Sequence, residues 1–251
     1  MNVDKKIETS VSKIRKLFAE TGLKARIMCD EKYGQDFEDI AVDIGDTFDI
    51  LDIIINKQPP VPENILMGAT MNWGALNSLI SAVELLRLGY YKEPMTIIRN
   101  AVEYACVAHC ISIDELIYKK FMADPDKFDS PSTISEAKKI IEFLGPMYGL
   151  LSKYTHPGGQ HILPHDMGDG VLYIGGYLHE HNPKLARLSV IMTKQAVNII
   201  CSLIQFPSVW NAAESRYWKI KPDGKTCSRK PSSEKMVNEF KEMSMLLDSG
   251  R

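Results

Sequence analysis

Apolar side chains recur every three or four residues along most of this chain, the spacing that gathers them on one side of an α-helix. Val3, Ile7, Val11, Ile14, Leu17 and Phe18 predict a helix over residues 3–20, stopped by Gly22. Phe37, Ile40, Ile44, Phe48, Leu51 and Ile55 predict a second over 36–56, whose other side is acidic: Glu38, Asp39, Asp43, Asp46, Asp49 and Asp52. KQPPVPEN, residues 57–64, then breaks the pattern, because three prolines in so short a run exclude helix. Two long helices follow over 64–90 and 94–119. The link from Gly89 to Pro94 is short enough to make them antiparallel neighbours, and Pro94 suits the first turn of the second.

A helical stretch at 113–122 leads into a Pro/Asp loop, ADPDKFDSPS. Ser132 or Thr133 would cap the next helix, with Glu136 placed for a capping box. That helix is expected to run to His156, where Pro157-Gly158-Gly159 stops it. Residues 160–182 lose the helical period and gain Gly and His; VLYIGGYL within them could form a short β-hairpin or an extended loop. Asn182 or Pro183 opens the last long helix, which ends near Pro207. Met236, Val237, Phe240, Met243 and Leu247 mark a short closing helix. The expected fold is an all-α antiparallel bundle with an irregular insertion near 160–182. Its expected parts are a helical extension (1–57), the main bundle (64–210), and a basic tail with a short helix (211–251).

Composition narrows the function classes. The chain has 251 residues, 45% hydrophobic and 25% charged, and a formal net charge of −2, so any nucleic-acid contact needs a local patch. One such patch is the tail's Arg216, Lys219, Lys221, Lys225, Arg229 and Lys230 with Tyr217 and Trp218, which otherwise reads as a solvated linker. The five cysteines form no C-x-x-C pair, which argues against a disulfide framework or zinc ribbon and for a reducing, cytoplasmic setting. Cys106 and Cys110, one turn apart, read as small buried hydrophobes. The first ten residues lack a signal peptide's apolar run, and Arg187 and Lys194 interrupt the apolar stretch 185–206, so no membrane association is expected. The acidic side of 36–56 reads as a solvated outer face rather than a metal cage. His156, His161, His165, His179 and His181, with Asp166, Asp169 and Glu180, could supply zinc ligands, but no helical His/Glu pair has a metal-site spacing, so no metal or other cofactor is expected. Phosphate-binding glycine loops and a serine nucleophile elbow are missing from the sequence.

The helix from Pro94 to Ile111 holds the main candidate chemistry. Ile97, Ile98, Ala101, Val102, Ala105, Cys106, Val107 and Ala108 cover almost its whole circumference, which predicts a buried helix. Arg99 and Glu103 lie one turn apart within it and need partners there. An exposed Arg-first i,i+4 pair stabilises by only about 0.2–0.5 kcal/mol, a weak reason to place charges in a core helix. On the helix ending at His156, Tyr148, Ser152 and Thr155 share one stripe, with His156 beside it. Thr70, Asn77, Ser81 and Glu84 form a stripe on the preceding long helix, solvent-facing by default; turned inward, it would converge on Arg99 and Glu103. An arginine beside a histidine can hold a phosphate while the imidazole moves a proton.

LLRLGYYKEPMTIIRNAVE (85–103) and YGLLSKYTH (148–156) resemble an uncharacterised family of bacterial helical proteins with an R-x-x-x-E helix and a Y-x-x-L-S-x-x-x-H helix end. That family is similar in layout to the HEPN superfamily, which includes toxin and antiviral ribonucleases. The likeness covers about residues 65–205, with Arg99, Glu103, Tyr148, Ser152 and His156 on the motif positions. HEPN ribonucleases carry an arginine shortly upstream of the histidine on the same helix; here Gly149, Leu150 and Leu151 stand there, leaving Arg99 to serve from another helix. The resemblance implies a homodimer acting on RNA or a nucleotide. Arg99, Glu103, Ser152 and His156 would be catalytic, with Tyr148, Asn77, Glu84 and Lys153 contacting substrate. The competing expectation is a non-catalytic helical module that binds a partner protein or small ligand.

Overall fold

The proline-rich break lies where the sequence puts it, between helix α1 (Gly22–Ile55) and helix α2 (Glu63–Arg87). The computed structural model describes residues 22–125, 128, 130–155, 183–209, 215–223, 225, 227–230 and 234–248, with isolated positions 12 and 20. The expected helix over 3–20 therefore lies almost wholly outside the described residues. Gly22 is the first residue of α1, which kinks at Tyr33 (φ −123°, ψ 17°) beside Gly34. Gly89 adopts a positive φ of 83° in the α2–α3 link, a conformation that favours glycine, and α2 and α3 (Glu93–Ile113) pack closely as the expected hairpin. They come close at Gly68, where an added Cβ would run into Ser112 Oγ and lie 2.7 Å from the Ala108 carbonyl oxygen.

Three helix boundaries differ from expectation, the first being the start of α1 at Gly22, where a helix was expected to stop, rather than near residue 36. The second long helix ends at Ile113, because the Asp114 carboxylate accepts hydrogen bonds from the Leu116 and Ile117 N–H groups and starts α4 (Glu115–Ala123). The helix expected to run from Ser132 or Thr133 to His156 is two helices, α5 (Ser130–Ala137) and α6 (Leu144–Thr155). Pro146 explains the division: a proline is tolerated in the first turn of α6 but not inside a continuous helix. Glu136, expected in a capping box, pairs with Lys139.

Helix α7 (Pro183–Gln205) runs through the middle, against α1, α2, α3 and α8 (Glu234–Asp248). It is long and apolar enough to cross a membrane, yet 94% of its most apolar window is buried inside the protein. Ile40, Leu79, Ile98, Ile191, Trp218 and Met243 belong to one core, so the parts before and after the expected main bundle pack into it. Helix accounts for 79% of the described residues, and the class is all-α.

The possible hairpin at 160–182 lies outside the described residues. A short antiparallel hairpin does occur in the basic tail: β1 (Trp218–Ile220) pairs with β2 (Cys227–Arg229). The tail is thus not the expected solvated linker. Tyr217 and Trp218 are buried, and the Trp218 indole N–H donates to the Ser202 carbonyl, so neither ring offers a face for stacking bases. Arg216 pairs with Asp43 and Asp46, and Arg229 donates to the Asn198 side chain.

The acidic side of α1 is likewise an interface for part of its length. Asp36 and Asp39, with Glu239 of α8, surround the Lys194 ammonium at 3.0, 2.6 and 2.7 Å. Burial alone would lower the Lys194 pKa; the carboxylates, Asp39 first, outweigh it and hold it above the ordinary value. Arg187 reaches Asp36 and Glu242 beside it. Asp43 is buried, and that burial pushes its carboxyl up against the opposing pull of Tyr217 and Arg216. Only Glu38, Asp49 and Asp52 keep the expected exposed position.

Candidate functional site

Arg99 and Glu103 stand one turn apart on α3, and α6 brings Tyr148 and Thr155 to them from two of its turns. Arg99 Nε donates to Glu103 Oε1 at 3.2 Å, Nη2 donates to the Tyr148 hydroxyl at 3.3 Å, and Nη1 donates to Thr155 Oγ1 at 2.9 Å. The Tyr148 hydroxyl donates in turn to Glu103 Oε1 at 2.7 Å, closing a ring of three side chains. Thr155 Oγ1 donates to the Ser152 carbonyl at 3.1 Å, which fixes its lone pairs toward the arginine. The Arg99 guanidinium carbon also lies 5.4 Å from the Tyr148 ring centroid.

This α3 is not buried all round. Arg99 and Glu103 are 25% and 27% exposed, and Thr96, Asn100 and Tyr104 on the adjoining face are exposed. The guanidinium therefore sits at the rim of the bundle, oriented at three nitrogens yet open to solvent. Its hydrogen bond with Tyr148 and the charge of Glu103 hold its pKa above the usual arginine value, while partial burial works the other way. Burial first and Glu103 second raise the Tyr148 phenol, so it stays protonated and serves as donor.

The remaining expected site residues are placed as follows. Ser152 enters through its carbonyl rather than its hydroxyl, and Lys153 is exposed. Asn77 is exposed, and Thr70 and Ser81 bond back to carbonyls of their own helix. Glu84 pairs with Arg26 and Arg87. The Thr70–Glu84 stripe thus faces solvent and α1, and neither Asn77 nor Glu84 joins the Arg99 ring. The reason is the apolar side of α2: Ala75, Leu76, Leu79, Ala82 and Leu86 take the core, which leaves the polar stripe outward. His156 and the loop histidines lie outside the described residues. Among the described residues, no three His, Cys, Asp or Glu side chains gather as a metal cage would require.

No protein-family model, curated protein or solved structure matches this chain.

Three groups were not singled out as functional by the sequence. Thr155 already lay on the Tyr148/Ser152 stripe, and a hydroxyl one position before His156 was the available signal. His109 is buried on α3 with no hydrogen-bond partner on either ring nitrogen among the described residues; it packs 5.4 Å from the Phe206 ring, and burial pushes its pKa down to about 4. Lys92 at the start of α3 is buried with no hydrogen bond to its ammonium from the described residues, and burial pushes it down to about 8. His109 had no sequence signal beyond its isolation among apolar neighbours, and Lys92, next to Glu93, had none. The thiols behave as core groups: burial pushes Cys110 up to about 11 and Cys106 further.

Proposed function

We propose that the protein is a HEPN-like effector that acts on the phosphodiester backbone of RNA or on a nucleotide. The observation that carries this reading is the Arg99 guanidinium, fixed by Tyr148, Glu103 and Thr155 while a quarter exposed. A guanidinium has five N–H donors, and one from each of its three nitrogens meets these partners. The two remaining donors suit the paired oxygens of a phosphate. His156 follows Thr155 directly in the chain, and Thr155 accepts from Arg99. In this reading His156 takes the proton from a ribose 2′-hydroxyl, which attacks the adjacent phosphorus. Arg99 stabilises the charge that builds on the phosphoryl oxygens, a 2′,3′-cyclic phosphate forms as the bond to the 5′-oxygen breaks, and that oxygen takes up a proton from water as it leaves. Glu103 and Tyr148 are positioning residues that keep the guanidinium aimed.

A second reading has its own support. The Arg99–Glu103–Tyr148 ring closes on itself, as a packing lock in a non-catalytic module binding a partner protein or small ligand would. Incubation of the purified chain with RNA, single-stranded DNA and nucleotides, with and without EDTA, separates the two. The effector reading expects EDTA-insensitive cleavage of RNA but not of DNA, lost in Arg99→Ala and in His156→Ala. It also expects host toxicity that His156→Ala relieves. Inert wild-type protein, no more toxic than His156→Ala and still binding a partner, selects the module.

A further inference from the structure

One arginine of the basic tail differs from the others in the protein. Arg26, Arg87, Arg99, Arg187 and Arg216 each pair with a carboxylate. Arg229 pairs with none among the described residues, although it is part-buried. Burial lowers its pKa, with only the Tyr217 phenol pulling the other way. That phenol is itself raised by burial, so it is neutral at pH 7 and supplies no counter-charge.

The β-ladder accounts for the position. Arg229 stands opposite Trp218, whose indole N–H is anchored on the Ser202 carbonyl of α7. Asn198 lies one turn earlier on α7, and its Oδ1 accepts from Arg229 Nη2 at 3.1 Å. The guanidinium is thus held in place by a neutral group, and its other four N–H donors have no partner among the described residues. Asp43, which the Asn198 side chain also faces, is engaged by Arg216 Nε at 2.9 Å. Around Arg229 the hairpin is basic. Lys219, Lys221, Lys225 and Lys230 are exposed, and none of them pairs with a carboxylate among the described residues. Asp223 is the single carboxylate from residue 215 to residue 230.

We propose that Arg229 binds a phosphate group, which the lysines of the β1–β2 hairpin draw toward it. A planar guanidinium fork matches two phosphate oxygens, and a fixed fork loses little freedom on binding. The oxyanion supplies the missing counter-charge in a part-desolvated setting, where it counts for more than beside an exposed lysine. Tyr217 and Trp218 are buried, so the contact is to phosphate and not to bases, and an RNA held here would be held without regard to sequence. Nothing in this depends on the Arg99 reading.

Titration of the full-length chain with inorganic phosphate by calorimetry, and with single-stranded RNA by fluorescence anisotropy, both at fixed ionic strength, tests it. Arg229→Gln can keep the bond to Asn198 but lacks the charge and the fork, so it should weaken binding about tenfold or more. Lys219→Gln combined with Lys221→Gln alters only exposed side chains, so folding is not threatened, and it should weaken binding about two- to threefold. Arg99→Ala should bind as the wild type does. Binding of inorganic phosphate supports a site for free oxyanions, and binding of RNA alone assigns the phosphate to a nucleic-acid backbone. Binding of neither ligand overturns the proposal. So does an affinity that a folded Arg229→Gln chain or the double lysine variant leaves unchanged, or one that Arg99→Ala abolishes.

Discussion

The Arg99 ring and the Lys194 clamp each join helices through charged side chains, but their surroundings differ. Lys194 is 10% exposed and meets three carboxylates from α1 and α8, so removing the ammonium would strand negative charge inside the protein. Arg99 is 25% exposed, meets one carboxylate, and faces solvent with two donors to spare. The first arrangement has one use, holding α1, α7 and α8 together. The second keeps its geometry through three partners while its guanidinium stays a quarter exposed. A polar cluster in a helical bundle therefore reads as structural or functional by what would remain if one member were removed.

Breaking the clamp should have the largest effect. Lys194→Ala is expected to destabilise the fold by about 3–5 kcal/mol, measured by urea unfolding, and to loosen α8 first in hydrogen exchange. A value below about 1 kcal/mol would erase the contrast with Arg99.

Buried His109 gives the next effect and sharpens the role of burial. Its folded-state pKa of about 4 lies below the ordinary value near 6.5, so between those pH values the unfolded chain binds more protons. Stability should fall as pH drops through that window, by about 3 kcal/mol in total from this group. His109→Leu should remove that share of the slope, read as the difference between the two unfolding curves from pH 6.5 to 4.

Gly68→Ala serves as the packing control, since it touches neither cluster. Its Cβ would press on the Ala108 carbonyl and force α2 from α3, costing about 1–3 kcal/mol by thermal unfolding.

The smallest effect on stability belongs to the ring itself. Tyr148→Phe removes one hydroxyl from a part-exposed network and should cost at most about 1 kcal/mol. In the effector reading it should still lower RNA cleavage, because Arg99 loses a positioning contact. Wild-type cleavage in Tyr148→Phe would remove Tyr148 from the site.

Several of these features could be read from the chain before any coordinates. The proline break, the α2–α3 hairpin and the helical period of α7 follow from local chemistry, because proline, glycine and apolar spacing act on the residues beside them. Arg99, Glu103 and Tyr148 stood out as polar groups in apolar helices, and they do meet. Asn77 and Glu84 looked equivalent to them, but a stripe cannot announce which way it faces; Leu76 and Leu79 turned it outward by taking the core. The split between α5 and α6 has a local cause in Pro146, whose ring and missing N–H end a continuous helix.

The chain alone determined the all-α class, its main breaks and the identity of the charged pair on α3, since each depends on neighbours within a few residues. Only the tertiary structure decided that Asp36 and Asp39 face Lys194, that the basic tail packs Arg216 and Trp218 on the bundle, and that Thr155 gives Arg99 a third partner. Those contacts join residues far apart in sequence, and the free energy of a charge depends on what is brought beside it once water is displaced.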